Sequence, residues 1–355
     1  MTAPTSSSRT EGADPAPPAI AALDLGTNNC RLLVARPQAA GFEVIDSFSR
    51  IVRLGEGLAA SGWLRERAMA RTLAALRVCA RIMARHRVRA ARCVATEACR
   101  RATNGAEFLV RVQRTTGIHL EVLAHEQEAR LALLGCLPLI ERSAGPALLV
   151  DIGGGSTEIL WLDRSANGGG GPHSVSLPIG VVALSEAFTS EPDPAMFEAM
   201  VRHVQAAIDS TRQIRADLER PPAQLIGTSG TITTLAAVNL NLRRYDRRKI
   251  DGLALDRAAV TSVSERLRGM TNAARAAHPC IGPGRADLVV AGCAILESVL
   301  RTWPATVLRV ADRGLREGIL EGLMGHTLEA ALDDRLEAPA AVWQARRVAA
   351  GGTPA

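Results

Sequence analysis

Lysine is almost missing from this chain. Lys249 is the only one, although lysine and arginine together number 42 against 36 aspartate and glutamate. The net charge of +6 is therefore carried by arginine. Two causes fit that bias: a genome rich in G and C enriches Arg and Ala, and a positive field attracts a polyanion. Aromatic residues are only 3% of the chain, with a single tyrosine. Base-stacking platforms need exposed Phe, Tyr or Trp, so no nucleic-acid partner is expected. The seven cysteines (Cys30, Cys79, Cys93, Cys99, Cys136, Cys280, Cys293) form no CxxC pair. That argues against a zinc ribbon or a disulfide frame, and they read as reduced, buried thiols. No apolar run approaches the roughly 20 residues that span a bilayer, so no membrane partner is expected. The opening MTAPTSSSRTEGADPAPP has no apolar core of a secretory signal, and a cytoplasmic location is the expectation.

What is present is enough for a large core. The 355 residues are 47% hydrophobic and 22% charged, with mean hydropathy +0.08, which fits a two-domain globular chain. Residues 1–18 are rich in Ser, Pro and Ala and read as a disordered tail. Strands are expected at 19–26, 31–37, 42–54, 91–98 and 119–124, with helices at about 65–86, 103–116 and 126–137. ERSAGP (141–146) reads as a domain joint. After it come strands at ALLVDI, TEILWLD and HSVSLPIG, with the Gly-rich stretch 164–174 as a hairpin loop. Helices follow at about 193–217, 258–270, 285–301 and 314–325, with a strand at 308–313. The expected division is 19–140 and 141–335, the last helix packing back on the first domain, and a frayed tail over 336–355.

The informative feature is a duplication. AALDLGTNNCRLLVA (21–35) and LLVDIGGGSTEILWL (148–162) share one template: apolar strand, Asp, apolar residue, Gly, polar turn, apolar strand. Each half of the chain opens on such a unit, which implies two similar α/β domains facing across a cleft. The glycines Gly26, Gly153, Gly154 and Gly155 permit positive φ and remove Cβ atoms, so backbone N–H groups can converge on an anion. Ser156 and Thr157 add hydroxyls. Asp24 and Asp151 at the strand ends would repel bare phosphate, which makes sense if Mg²⁺, an oxygen-seeking ion, sits between them. The bland alternative is two tight hairpins with Asp in its ordinary turn role. GTSGT (227–231) follows a strand and opens a helix, so Gly227, Ser229 and Gly230 form a third candidate anion turn, although Ser and Thr are also ordinary helix caps. On this view Gly154→Val blocks phosphate approach and leaves the fold largely intact.

Arg243, Arg244, Arg247, Arg248 and Lys249 make the densest basic run, either a solvated loop or a rim that steers a polyanion. Glu126, Gln127 and Glu128 open a helix, where acids complement the dipole. His125 reads as a solvated loop residue, since no second His or Cys stands at ligand spacing.

These elements, in this order, resemble the fold shared by actin, heat-shock chaperone ATPases and sugar kinases, built of ribonuclease H-like domains. More narrowly the chain resembles the exopolyphosphatase and guanosine-pentaphosphate phosphatase (Ppx/GppA) family over about residues 19–325. The resemblance rests on ALDLGTNNCRLLVA, RIVRLGEGL, VATEACRRATN, HEQEARLALLG, VDIGGGSTEI, GTSGTITTLAA and GLREGIL. It implies a Mg²⁺-assisted phosphoanhydride hydrolase that releases terminal orthophosphate. It also implies Glu128 as general base and Asp151 and Glu158 as metal-associated carboxylates. Asp24 and Asn28 would belong to the first phosphate turn, Gly153, Gly154, Gly155 and Ser156 to the second, and Arg100, with Arg53 as a weaker candidate, would bind phosphate. Thr27 and Asn29-Cys30 depart from the commonest family residues but keep a polar turn. The family's longer members carry further C-terminal domains, including a helical HD-type domain. This chain resembles the short two-domain type, which puts a processive grip on long chains in doubt. A homodimer is implied by the family alone.

Two substrates remain open at this point, inorganic polyphosphate and guanosine pentaphosphate. An ATP-dependent kinase of the same fold is disfavoured by the hydrolase pattern around Glu128 and by the lack of an adenosine-binding insertion. A non-catalytic sensor is disfavoured by the presence of Glu128, Asp151 and Glu158 together.

Overall fold

The computed structural model describes residues 17–141, 144–163, 172–188, 193–211 and 222–333. The expected tails and most of the loop at 164–174 lie outside the described residues, as does the expected helix beyond Thr211.

Two sheets carry the chain. The first has strands β1 (Ile20–Leu25), β2 (Asn29–Gln38), β3 (Gly41–Ile51), β4 (Ala90–Ala95) and β5 (Glu121–Val122), in the order β3-β2-β1-β4-β5. The second has β6 (Ala147–Ile152), β7 (Thr157–Leu162), β8 (His173–Leu177), β9 (Gln224–Thr228), β10 (Ala254–Asp256) and β11 (Val307–Ala311), in the order β10-β11-β9-β6-β7-β8. Apart from β10 the two orders are the same. In each, three antiparallel strands are followed by two strands running parallel to the first. The duplicated motif is thus a duplicated sheet. β1 and β6 are central, and their apolar residues are buried on both faces, as expected of strands covered by helices on each side.

Several elements differ from the sequence reading. The strand expected over 91–98 ends at Ala95, Thr96 takes the N-cap position, and Glu97–Arg101 is helical. The strand expected over 119–124 pairs only at Glu121–Val122. The helix expected from 285 begins at Val289, and Gly282 to Leu288 form turns that hold Arg285. A helix at Val181–Ala187 and the short strand β10 went unpredicted.

Two helices cross over between the sheets. His125–Cys136 follows the first sheet but buries Ala129, Leu133, Leu134 and Cys136 against β6, β7 and β9 of the second. Leu315–Leu323 follows the second sheet but buries Leu315, Ile319 and Leu320 against Ile20, Ala22 and Val94 of the first. Each half therefore covers the other's sheet. No described helix is long and apolar enough to cross a membrane.

Candidate active site

The two duplicated turns have the same backbone closure. Gly26 N–H donates to Asn29 C=O at 2.9 Å, and Gly153 N–H donates to Ser156 C=O at 3.0 Å, the two pairs standing at identical offsets from Asp24 and Asp151. The turns then abut. A Cβ at Gly154 would lie 3.0 Å from the Asn28 nitrogen, and one at Gly155 would lie 2.6 Å from Thr27 Oγ1. None of Gly26, Gly153, Gly154 and Gly155 has positive φ. Close approach of two backbones, not left-handed conformation, is what these positions require, which corrects the sequence expectation. The helix Val181–Ala187 fixes the second turn from behind, with Val181 and Val182 N–H groups donating to Gly153 and Gly154 carbonyls at 3.0 and 2.8 Å.

A cleft opens beside the paired turns. Asp24, Gly26, Asn28, Gly153, Gly154, Gly155, Ser156, Glu128, Asp151, Glu158, Ser229 and Gly230 all line it. Ser229 reaches there through a left-handed backbone (φ 77°) that is uncommon for a residue with a side chain, and its hydroxyl donates to Asp151 Oδ1 at 2.5 Å. Two expected residues, Gly227 and Arg53, lie elsewhere, and a third, Arg100, stands behind the cleft wall against two of its lining carboxylates. Gly227 is inside β9, opposite Val150 and Val310, where a Cβ would press on Ile232 and Leu308; it is a packing glycine. Arg53 Nη2 donates to Asp287 Oδ1 at 2.5 Å and Gly284 C=O at 3.2 Å. Arg100 is held by Glu97 at 2.9 Å, Glu128 at 3.3 Å and the Leu123 carbonyl.

His125 corrects another expectation: it is the first residue of its helix, and its Nδ1 accepts from Arg100 Nη2 at 2.9 Å. An arginine can only donate, so that ring nitrogen is unprotonated in this arrangement.

The carboxylates crowd one another. Burial, then the charge of Glu158, pushes Asp151 up to about 7. Burial, with Glu158 adding to it, raises Glu128 well above the usual carboxylate range, and Arg100 only partly offsets this. Burial likewise raises Asp24, against the pull of Arg31. Glu158 Oε1 accepts from Ser156 Oγ at 2.7 Å and Ser176 Oγ at 2.9 Å. Such a set of hard oxygen donors suits a divalent cation. The buried Asn28 Oδ1, which has no partner, adds an unsatisfied oxygen at the same cleft. His125, Glu128 and Glu158 also present ligand atoms within 4.8 Å of one another. Arg100 already donates to the first two, so a cation is better served by the Asp151 and Glu158 side, where among the described residues the carboxylates accept from hydroxyls and from no guanidinium.

Three cleft arginines had no signal in the sequence. Arg31, Arg285 and Arg316 line the cleft and make no ion pair within 4.0 Å among the described residues, Arg285 donating only to Thr234 Oγ1 at 3.4 Å, whereas Arg313 is paired to Asp251 and Arg247 to Glu317 at 2.7 Å. Burial pulls the Arg316 guanidinium below its usual range. An unpaired, partly desolvated guanidinium is a ready partner for an anion. The rest of the basic run beyond Arg247 is exposed at Arg248 and Lys249.

Two duplicated α/β lobes along one cleft define a protein of the actin-like, sugar-kinase-like fold class. The Ppx/GppA phosphatase family model matches residues 33–327, and the chain belongs to that family. It is 33% identical over 322 residues to Exopolyphosphatase 2 of Mycobacterium tuberculosis, covering 86% of this chain and 98% of the relative. Among solved structures it resembles an exopolyphosphatase from Cytophaga hutchinsonii, with TM-score 0.79 and 25% identity over 87% of this chain and 99% of that one. It also resembles the Aquifex aeolicus Ppx/GppA family member, with TM-score 0.70 and 29% identity over 87% and 98% of the two chains.

Proposed function

We propose that the protein is an exopolyphosphatase that removes terminal orthophosphate from inorganic polyphosphate. The supporting observation is the meeting, in one cleft, of three guanidiniums that make no salt bridge among the described residues with the half-buried Glu128. Arg31, Arg285 and Arg316 bind and orient the phosphate chain, together with the backbone of the Gly153–Ser156 turn and the hydroxyl of Ser229. Phosphoryl transfer depends on this positioning and on charge stabilisation at the equatorial oxygens. Glu128 accepts a proton from the water that attacks the terminal phosphorus. The bond to the bridging oxygen breaks, and that oxygen stays on the shortened chain with the electron pair. Arg100 donates to Glu128 and holds it in place. Asp151 and Glu158 are the residues that would hold Mg²⁺, which when bound neutralises phosphate and carboxylate charge.

Among the described residues no aromatic side chain is part of the cleft lining, although Tyr245 hydrogen-bonds Asp312 and Thr233, which are. The guanidiniums, hydroxyls and backbone groups of the lining match a phosphate chain, and this favours the inorganic polymer over guanosine pentaphosphate. The test is orthophosphate release, with Mg²⁺, from polyphosphate and guanosine pentaphosphate side by side, with Glu128→Gln as control. Faster release from polyphosphate, lost in the variant, is expected. Faster release from guanosine pentaphosphate would reassign the substrate. No release from either would overturn the reading.

A further inference from the structure

Arg53 was expected to bind phosphate, yet its guanidinium reaches across to the opposite lobe. Nη2 donates to Gly284 C=O at 3.2 Å and to Asp287 Oδ1 at 2.5 Å, so it grips the segment on both sides of Arg285. The segment is docked there by other contacts. A Cβ at Gly284 would lie 2.5 Å from Ile51 Cδ1, so this turn packs closely on the end of β3. Ser185 Oγ donates to the Asp287 carbonyl at 2.9 Å. Beside it, Gly57 N–H donates to Glu186 Oε1 at 2.7 Å, a second bridge between the lobes.

The backbone of Arg53 is tied to the first phosphate turn. Val52 and Arg53 N–H groups both donate to the Asn28 carbonyl, at 2.8 and 3.0 Å, and Gly55 N–H donates to the Thr27 carbonyl at 2.9 Å. Arg53 adopts φ 47°, in the left-handed region that a side-chain-bearing residue rarely occupies. Such conformations persist where surrounding contacts over-determine them. The ion pair itself is about one-third exposed on each side (33% and 39%), where such pairs add little to fold stability. Its geometric effect is the larger one.

We infer that Arg53 is a positioning residue that couples the first phosphate turn to Arg285, holding the Arg285 guanidinium in the cleft when the lobes close. This rests on the reading of Arg285 as a phosphate ligand. Arg53 touches no substrate; it sets where a ligand arginine stands.

A double-mutant cycle tests this, with sodium tripolyphosphate binding to the full chain followed by calorimetry. R53A is expected to weaken binding about tenfold, the scale of coupling between residues in contact. In the R285A background the same change is expected to have almost no further effect. The charge-reversed pair R53D/D287R is expected to recover most of the affinity. Melting temperature is expected to stay within about a degree of wild type in R53A, as for an exposed ion pair. Equal, additive losses in the two backgrounds would show that Arg53 binds phosphate directly and overturn the inference. A lowered melting temperature without rescue by the reversed pair would show a merely structural clasp and overturn it too. If R285A itself left binding unchanged, the phosphate-ligand reading would fall, and the inference with it.

Discussion

Asp151 illustrates what a divalent cation would do for this site beyond chemistry. Its carboxyl moves from the usual 3.8 to about 7, mainly through burial, a change on the order of 4 kcal/mol. Between those values the folded state holds a proton that the unfolded chain has released, so stability falls as pH rises through that window. Chelated protein should therefore melt higher near about pH 5.5 than near about pH 7.5, and added Mg²⁺ should raise the melting temperature more at the higher pH, where the ligand is ionised. Equal Mg²⁺ shifts at both pH values in thermal melts would remove Asp151 from the cation site. Glu128→Gln should lower kcat by about 10²–10⁴-fold, the usual contribution of a positioned base, with tripolyphosphate affinity nearly unchanged. Because burial and Glu158 raise Glu128, the acid limb of wild-type turnover should lie above the ordinary carboxylate range; a limb near 4 would mean another base. Asp24 and Asp151 were visible in the sequence because Asp-x-Gly recurs at a fixed template, whereas Glu128 and Glu158 were singled out by the family resemblance. Arg31, Arg285 and Arg316 were not. In a chain whose positive charge is nearly all arginine, residue type carries no signal. What singles the three out is their place on the cleft wall with no salt bridge within 4.0 Å among the described residues, a property that exists only after folding.

At the scale of the element, the glycine turns separate into two kinds that look alike in sequence. Gly154 and Gly155 let one turn press on another. Gly227 sits in a strand and serves core packing. Gly154→Val should do more than block phosphate, because its Cβ meets the Asn28 backbone nitrogen at 3.0 Å and must push the two turns apart. Both affinity and melting temperature should fall. Gly227→Val, by contrast, crowds Ile232 and Leu308 and should cost about 1–3 kcal/mol of stability by overpacking, while folded protein keeps wild-type KM. A raised KM in that variant, measured below its melting transition, would restore Gly227 to the phosphate site. The periodic elements were legible because hydrophobic spacing reports burial directly. The ends were less so: Thr96 turns the chain from strand to helix within one residue, and the apolar residues on both sides mask the switch.

For the whole molecule, the decisive geometry is where the two exchanged helices cross. A Cβ at Gly318 would lie 1.9 Å from the Leu131 carbonyl oxygen, and one at Gly135 would lie 2.1 Å from that of Gly314. The helices His125–Cys136 and Leu315–Leu323 thus meet backbone to backbone, and neither position tolerates a side chain without movement. One helix carries Glu128 and the other Arg316, so this crossing sets the distance between base and phosphate ligand across the cleft. Gly318→Ala must separate the helices. Misplacement of about 1 Å at a reacting centre can cost on the order of 10²-fold, and a loss of that order in kcat is expected although no cleft residue has changed. Gly322 supplies the control. It lies on the same helix, and a Cβ there meets nothing within 4 Å. Gly322→Ala should leave turnover unchanged and stabilise the helix by up to about 1 kcal/mol. If kcat fell equally in both variants, helix propensity or flexibility would explain the effect and the crossing would not be the element that sets the cleft. If Gly318→Ala alone lost activity while remaining folded, the close approach at Gly135 and Gly318 would be what holds the two lobes in register for chemistry.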